Sequence, residues 1–425
     1  MSEETLLSLD REPGHSLTRR LGPFIGLAAI FAGGVILNGA TFLNPYNQLN
    51  VLGRISIIAL PAVGMTMVII TAGIDLSVGS LVSLASVVCA MLLMERSPTR
   101  ATAVSVPIFV LCALGAGYLL TRAILRRFVS DPRRVGLGAA GGGLVLAAGT
   151  ALWCRTMIPS GFGTLAVLLI VPGLGLALGA LSGIIIAKGR IQPFIVTLGM
   201  MSAAVGLAKF IAGKGGQIHP VYYEAAGYEA AGTVHTAPAS FDALSGHLTL
   251  FGIDLVPVTT LFFVAAVIAV GVILTRTRFG RHLYAIGGNE ETARLSGVLV
   301  DRVKTLVYAL CGALSALAGV LYCAAYTQGK SDAGLTWELD AIAAVVIGGT
   351  SLMGGRGTVT GTLVGVLILG YLGNILNLQE VPSEVQDILK GVIIVGAVLI
   401  QEGTLLRLWR RGTGSRRRTR SQPEE

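Results

Sequence analysis

The chain has 425 residues, of which 53% are hydrophobic and 13% charged, and its mean hydropathy is +0.74. A water-soluble domain carries roughly a quarter charged residues, so this composition excludes one and defines a polytopic membrane protein. The formal net charge of +9 sits in loops and a tail that suit a membrane containing anionic lipid, and no aromatic interleaving or fold signal points to nucleic acid.

Residues 1–20 mix acids and bases and lack an apolar stretch ending in small residues, so they read as a short amino-terminal segment rather than a cleaved leader. Twelve apolar runs follow, near residues 21–37, 53–72, 77–94, 103–121, 135–154, 164–187, 193–212, 255–274, 305–326, 339–353, 358–377 and 387–404. A hydrocarbon core about 30 Å thick takes about 20 residues of helix. Backbone groups in lipid must be bonded within the protein, and these runs lack the alternation of a barrel. The expected fold is therefore all-α, with about 12 spans in a permease domain over residues 21–406. Cys89, Cys112, Cys154, Cys311 and Cys323 lie inside or at the edge of the runs and read as small packing residues.

Cytoplasmic loops carry the excess of Lys and Arg. With the amino terminus inside, the inner loops hold Arg122, Arg126, Arg127, Arg133 and Arg134; Lys188 and Arg190; Arg276, Arg278, Arg281, Arg294, Arg302 and Lys304; and Arg356. Arg96, Arg100 and Arg155 are exceptions outside. The segment 213–254 contains one Lys and no Arg, whereas the tail 407–425 has seven Arg, so both termini are expected in the cytoplasm.

Along the chain, TAGIDLSVGS (71–80) places Asp75 between two apolar runs. An intramembrane carboxylate either caps the following helix or lines a polar path, and Gly73 and Gly79 permit a break there. In IQPFIVTLGMM (191–201), Pro193 suits a first helical turn, while Gln192, Phe194 and Thr197 offer amide, aromatic and hydroxyl groups to a polyol or else pack ordinarily. The outer segment 213–254 holds Tyr222, Tyr223, Tyr228, His219, His235 and His247, whose wide spacing gives only a weak metal signal. No metal site is expected. In the polar segment 275–304, Asn289 can cap a short helix with Glu290 and Glu291 in its first turn. Gly287 and Gly288 would turn the chain into it, and Gly297 would end it. Glu338 and Asp340 open a later span, where acids favour a helix amino terminus or meet a partner. Gly361-x-x-x-Gly365 and GAAGGG (138–143) read as small-residue helix contacts.

No G-x-x-x-x-G-K-[ST] occurs, so the chain has no P-loop. No H-E-x-x-H occurs and all five His fall outside the spans, which argues against an intramembrane enzyme.

The run FGRHLYAIGGNEETARLSGV (279–298) followed by DRVK resembles the coupling loop of bacterial ABC sugar importer permeases of the ribose and xylose type. TAGIDLSVGS, KGRIQPFIVTLGMM (188–201) and ELDAIAAVVIGGTSLMGGRGTVTGT (338–362) agree in order and spacing. The resemblance implies a transport subunit, not an enzyme, in the bacterial inner membrane, importing a pentose or hexose. Its coupling residues would be Gly287, Gly288, Asn289, Glu290, Glu291, Ala293, Arg294 and Gly297, with Thr292 where the family more usually has Ala. ATP and Mg²⁺ would bind a separate ABC ATPase subunit, a periplasmic sugar-binding protein would deliver the cargo, and two permeases would pair. Residues 95–163, longer than the family implies, read as an inserted helical hairpin. The alternative is an ion-coupled secondary transporter, for which Asp75 is the best-placed intramembrane charge.

Overall fold

A computed structural model describes residues 14–126, 131–213, 216–222 and 236–401. The basic tail 407–425, most of the segment 1–20, and Tyr223, Tyr228 and His235 lie outside these residues. Among them the protein is helical, with two small antiparallel pairs, β1 (His219–Pro220) with β4 (Gln328–Gly329) and β2 (His247–Leu250) with β3 (Ile253–Pro257).

Nine described helices are long and apolar enough to cross a membrane. They are α1 (Gly14–Leu43), α2 (Pro45–Ile70), α4 (Arg100–Leu125), α5 (Pro132–Met157), α6 (Thr164–Gly189), α7 (Pro193–Ala212), α9 (Val258–Arg276), α12 (Val300–Tyr326) and α14 (Val359–Leu378), with α8 a single turn at Ala239–Asp242. Pro193 opens α7 at its first helical position, where a missing N–H costs little. The run at 77–94 forms α3 (Val78–Met94), 17 residues long, and the last run forms α15 (Ser383–Gln401).

The run at 339–353 is not one continuous helix. Helix α13 covers Trp337–Ile347, 11 residues, and Gly348 with Gly349, at φ +89°, breaks it. Its preceding strand and turns, residues 327–336, run back along α3. There Gly79, Gly329 and Gly334 bring the two backbones together. Serines of α3 serve the unwound backbone: Ser83 Oγ accepts from Gly334 N at 3.0 Å, while Ser86 Oγ accepts from Lys330 N at 3.2 Å and donates to Lys330 O at 2.9 Å. Non-helical backbone persists at membrane depth only when its polar groups find such partners.

Helix α12 is the centre of the core, packed between α6, α3 and α2. Gly175, Gly179 and Gly183 form a stripe at i, i+4 and i+8 on α6. They meet Gly312, the Tyr308 carbonyl and Thr305 of α12 in antiparallel order, with no space for a side chain at the contacts. Gly361 and Gly365 likewise set α14 against Gly348 and Ala344. Lipid tails are as apolar as leucine, so close backbone approach supplies the packing that a hydrophobic effect between helices cannot. The GAAGGG run performs the same task within the pair α4 and α5, where Gly142 meets Thr121 and Gly143 meets Leu114.

Candidate functional site

The segment 275–304 folds as two helices. The first, α10 (Arg278–Gly288), starts at Thr277, whose side chain accepts from Gly280 N at 3.1 Å. The second, α11 (Glu290–Leu295), is capped by Asn289, whose Oδ1 accepts from Thr292 N at 2.8 Å. It ends in a Schellman arrangement: Gly297, at φ +84°, donates to Arg294 O, and Val298 N donates to Ala293 O, both at 3.1 Å. The cap and stop thus lie at Asn289 and Gly297, where their residue types place them.

Gly287 and Gly288 do not form a turn, and only Gly287 is held to glycine by its neighbours. Both remain helical at the end of α10, and the chain direction changes at Asn289 (φ −160°, ψ 110°). A side-chain carbon on Gly287 would fall on the Ile70 carbonyl and on Gly355 N. Glycine is required there for close approach: Gly355 N donates to Ile70 O at 2.9 Å, closing a junction between the end of α2, the end of α10 and the loop after α13. Tyr284 adds a bond from its hydroxyl to Gly357 O at 2.8 Å. Burial raises the pKa of this phenol.

Ion pairs tie α11 to α12. Arg294 reaches Glu290 at 3.4 Å and Asp301 at 3.1 Å, and Lys304 reaches Glu290 at 2.5 Å. The bond to Asp301 is the main reason the Arg294 guanidinium titrates above its ordinary range. Solvent screens the Arg294 pairs, and the partly buried Lys304 joins them to fix the direction of α11 relative to α12. Ala293 faces inward, while Glu291, Thr292 and Leu295 face outward. Leu295 is 81% exposed, an apolar tip that residue counting missed because only the fold shows which face of a six-residue helix is free.

Asp75 is fully buried at the start of α3. Its Oδ1 accepts from Ser77 N at 2.9 Å and Ser77 Oγ at 2.6 Å, which is capping chemistry, while among the described residues Oδ2 has no N–H or O–H donor and only the Cys311 thiol beside the carboxyl group. Tyr308 and Cys311 of α12 lie beside it, roughly 12–16 Å along α12 from Val300 at 1.5 Å per residue. Thr197 joins this neighbourhood: it is buried and donates to Ile74 O at 3.3 Å. Gln192 and Phe194 do not; Gln192 precedes α7 on the surface and Phe194 is half exposed. His219 is bonded to the Ala212 carbonyl at 2.9 Å.

At the opposite end of α12, a cavity of about 250 Å³ is lined by Arg54, Ile57 and Ile58 of α2, Tyr322 and Tyr326 of α12, Ala333, and Trp337 of α13. The i, i+4 pair Tyr322 and Tyr326 was visible in the sequence as a helical spacing. Its convergence with Arg54 and Trp337 was not.

Among the described residues the protein is a bundle of helices long and apolar enough to cross a membrane, with a short polar projection at one end and a broken helix within it. Residues 130–398 match the family described as "Branched-chain amino acid transport system / permease component". The chain is 37% identical over 382 residues to the ribose import permease protein RbsC of Bacillus subtilis, covering 90% of this chain and 92% of the relative. It is 36% identical over 362 residues to RbsC of Escherichia coli (strain K12), covering 84% and 86%. It is 34% identical over 399 residues to the xylose transport system permease protein XylH of the same strain, covering 90% and 92%. The chain belongs to this permease family and is an integral membrane protein. No solved structure matches it.

Proposed function

We propose that this chain is the membrane subunit of an ATP-driven ABC importer that moves a pentose or hexose across the bacterial inner membrane. Two copies pair, each docks an ABC ATPase subunit, which holds ATP and Mg²⁺, and a periplasmic binding protein delivers the sugar. In this reading α3, residues 327–347 and α15 complete about 12 crossings, and both termini are cytoplasmic. The observation that carries it is α11: a helix capped at Asn289, stopped at Gly297, ion-paired to α12 and wedged through α10 at Gly287 against α2. A projection stiffened in this way transmits force into α2 and α12, the two most buried of the long described helices. The family's sugar permeases support the cargo class.

The test is ATP-dependent accumulation of labelled pentoses and hexoses in proteoliposomes holding this chain with its ATPase and binding protein. Uptake of a sugar that vanishes when either partner is omitted supports the reading. Uptake by this chain alone down an ion gradient overturns it in favour of a secondary transporter. Glu291→Arg reverses charge on the free face of α11 and is expected to lower coupled uptake at least tenfold while the protein stays monodisperse. Topology has its own check: cysteine placed at Arg126 should be labelled only from the cytoplasmic side, and external labelling overturns the orientation.

A further inference from the structure

The cavity at the end of α12 distant from α11 has the chemistry of a saccharide site. Tyr322 and Tyr326 stand with ring centroids 4.6 Å apart, and the Trp337 ring lies edge-on to Tyr322 at 6.0 Å. Tyr322 is largely buried and Tyr326 is 42% exposed, so the aromatic cluster is packed at its base and reachable at its rim. Arg54 makes no ion pair among the described residues, and neither the Trp337 indole N–H nor the Tyr326 hydroxyl makes a hydrogen bond among them. An arginine, an indole N–H and a phenol are thus left as donors around an apolar floor of Ile57 and Ile58. Aromatic faces pack the C–H face of a sugar ring, and a planar guanidinium can donate to two neighbouring hydroxyls at once. A cavity of about 250 Å³ has room for one monosaccharide ring.

The position fits the beginning of a transport path. Thr327, next after Tyr326, accepts from Val221 N at 2.8 Å, and Gln328–Gly329 pair with His219–Pro220. The cavity therefore adjoins the segment 213–254, which the charge pattern puts outside. Trp337 begins the short helix α13, directly after the unwound residues 327–336, and discontinuous helices of this kind are where transporters present polar groups to cargo. On α2, Arg54 lies about 24 Å from Ile70, which closes the junction with Gly287, so one continuous helix, with Pro61 inside it, joins the cavity to the base of α10.

We propose that Arg54, Tyr322, Tyr326 and Trp337 form the outward-side binding site for a neutral monosaccharide released by the binding protein. This rests on the importer reading above and adds the residues that would hold the cargo. The probe is Trp337 itself. In full-length protein in nanodiscs carrying Trp153→Phe and Trp409→Phe, Trp337 is the sole tryptophan, and its emission is titrated with D-ribose and D-xylose, with sorbitol as the acyclic control.

A saturable change with one pentose and not with sorbitol, weakened at least tenfold by Arg54→Gln or Tyr326→Ala, supports the site. In the complete transport complex the same two substitutions should raise the half-saturating concentration of liganded binding protein for uptake, or lower uptake at saturation. The ATPase activity should persist, and Arg54→Lys should restore part of the loss. Normal uptake by both variants, together with an unresponsive Trp337 while the complete complex accumulates ribose or xylose, overturns the site and leaves the importer reading standing. Absence of ATP-dependent uptake of any pentose or hexose by the wild-type complex overturns the importer reading, and the site with it.

Discussion

Helix α2 and the pair α4 and α5 are equally apolar and have opposite surroundings. All three are long and apolar enough to cross a membrane, yet most of α2 is buried inside the protein while α4 and α5 are largely exposed. Hydropathy measures transfer out of water, and lipid and protein interior satisfy it equally well. Side-chain size and placement of polar atoms separate the two regions. Helix α2 contacts α12 at Gly64 and bonds α14 through Thr66 and Thr362, 2.7 Å apart. Helices α4 and α5 approach each other through Gly117, Gly142 and Gly143, while Leu119, Leu120, Leu137, Leu144 and Val145 face outward.

The sharpest way to break this contrast is at the glycine stripe that closes the core. Gly179→Leu forces a side chain into the Tyr308 carbonyl of α12, where backbone cannot yield. The expected outcome is loss of monodisperse protein on size exclusion, at a cost above about 4 kcal/mol, the range of severe overpacking and core disruption. Recovery of folded protein with near wild-type thermal stability would show that α6 and α12 are not locked together.

A smaller effect is expected at Asp75, which belongs to the buried region but has one oxygen with no N–H or O–H donor among the described residues. Asparagine keeps an acceptor for Ser77, and Asn and Asp cap helices about equally. Asp75→Asn should therefore leave stability within about 1 kcal/mol and lower uptake severalfold if the carboxylate serves a polar path. Uptake at the wild-type level would leave Asp75 with a capping role alone.

The smallest effect belongs to the outward face of the hairpin. Leu144→Ala, at a side chain 61% exposed, should change stability by less than about 0.5 kcal/mol and leave uptake unaltered, as exposed substitutions away from special features do. A loss above about 1 kcal/mol in lipid bilayers would show that protein, rather than lipid, covers this face.

Much of the short helix α11 and its ends was legible because its rules are local. Asn289 reaches Thr292 three residues away, and Gly297 adopts the backbone that ends a helix there. The expected turn at Gly287 and Gly288 missed their purpose because the reason for a glycine lay elsewhere. The groups that exclude a side chain from Gly287 belong to Ile70 and Gly355, distant in sequence and unmarked by any local pattern. Gln192, Phe194 and Thr197 show the same division: one helical turn places only Thr197 against the Ile74 carbonyl.

By itself the sequence determined a polytopic all-α protein, its family resemblance and the ends of α11, because composition, apolar length and capping act over a few residues. Tertiary structure alone decided which apolar helices form the core, that the run at 339–353 is broken and approached by unwound backbone, and that Arg54, Tyr322, Tyr326 and Trp337 share a cavity. Those outcomes depend on backbones meeting across more than 200 residues of chain, as in the bond between Gly334 N and Ser83 Oγ. Only packing in three dimensions can fix such contacts, since lipid offers an apolar side chain nearly the same free energy as a neighbouring helix.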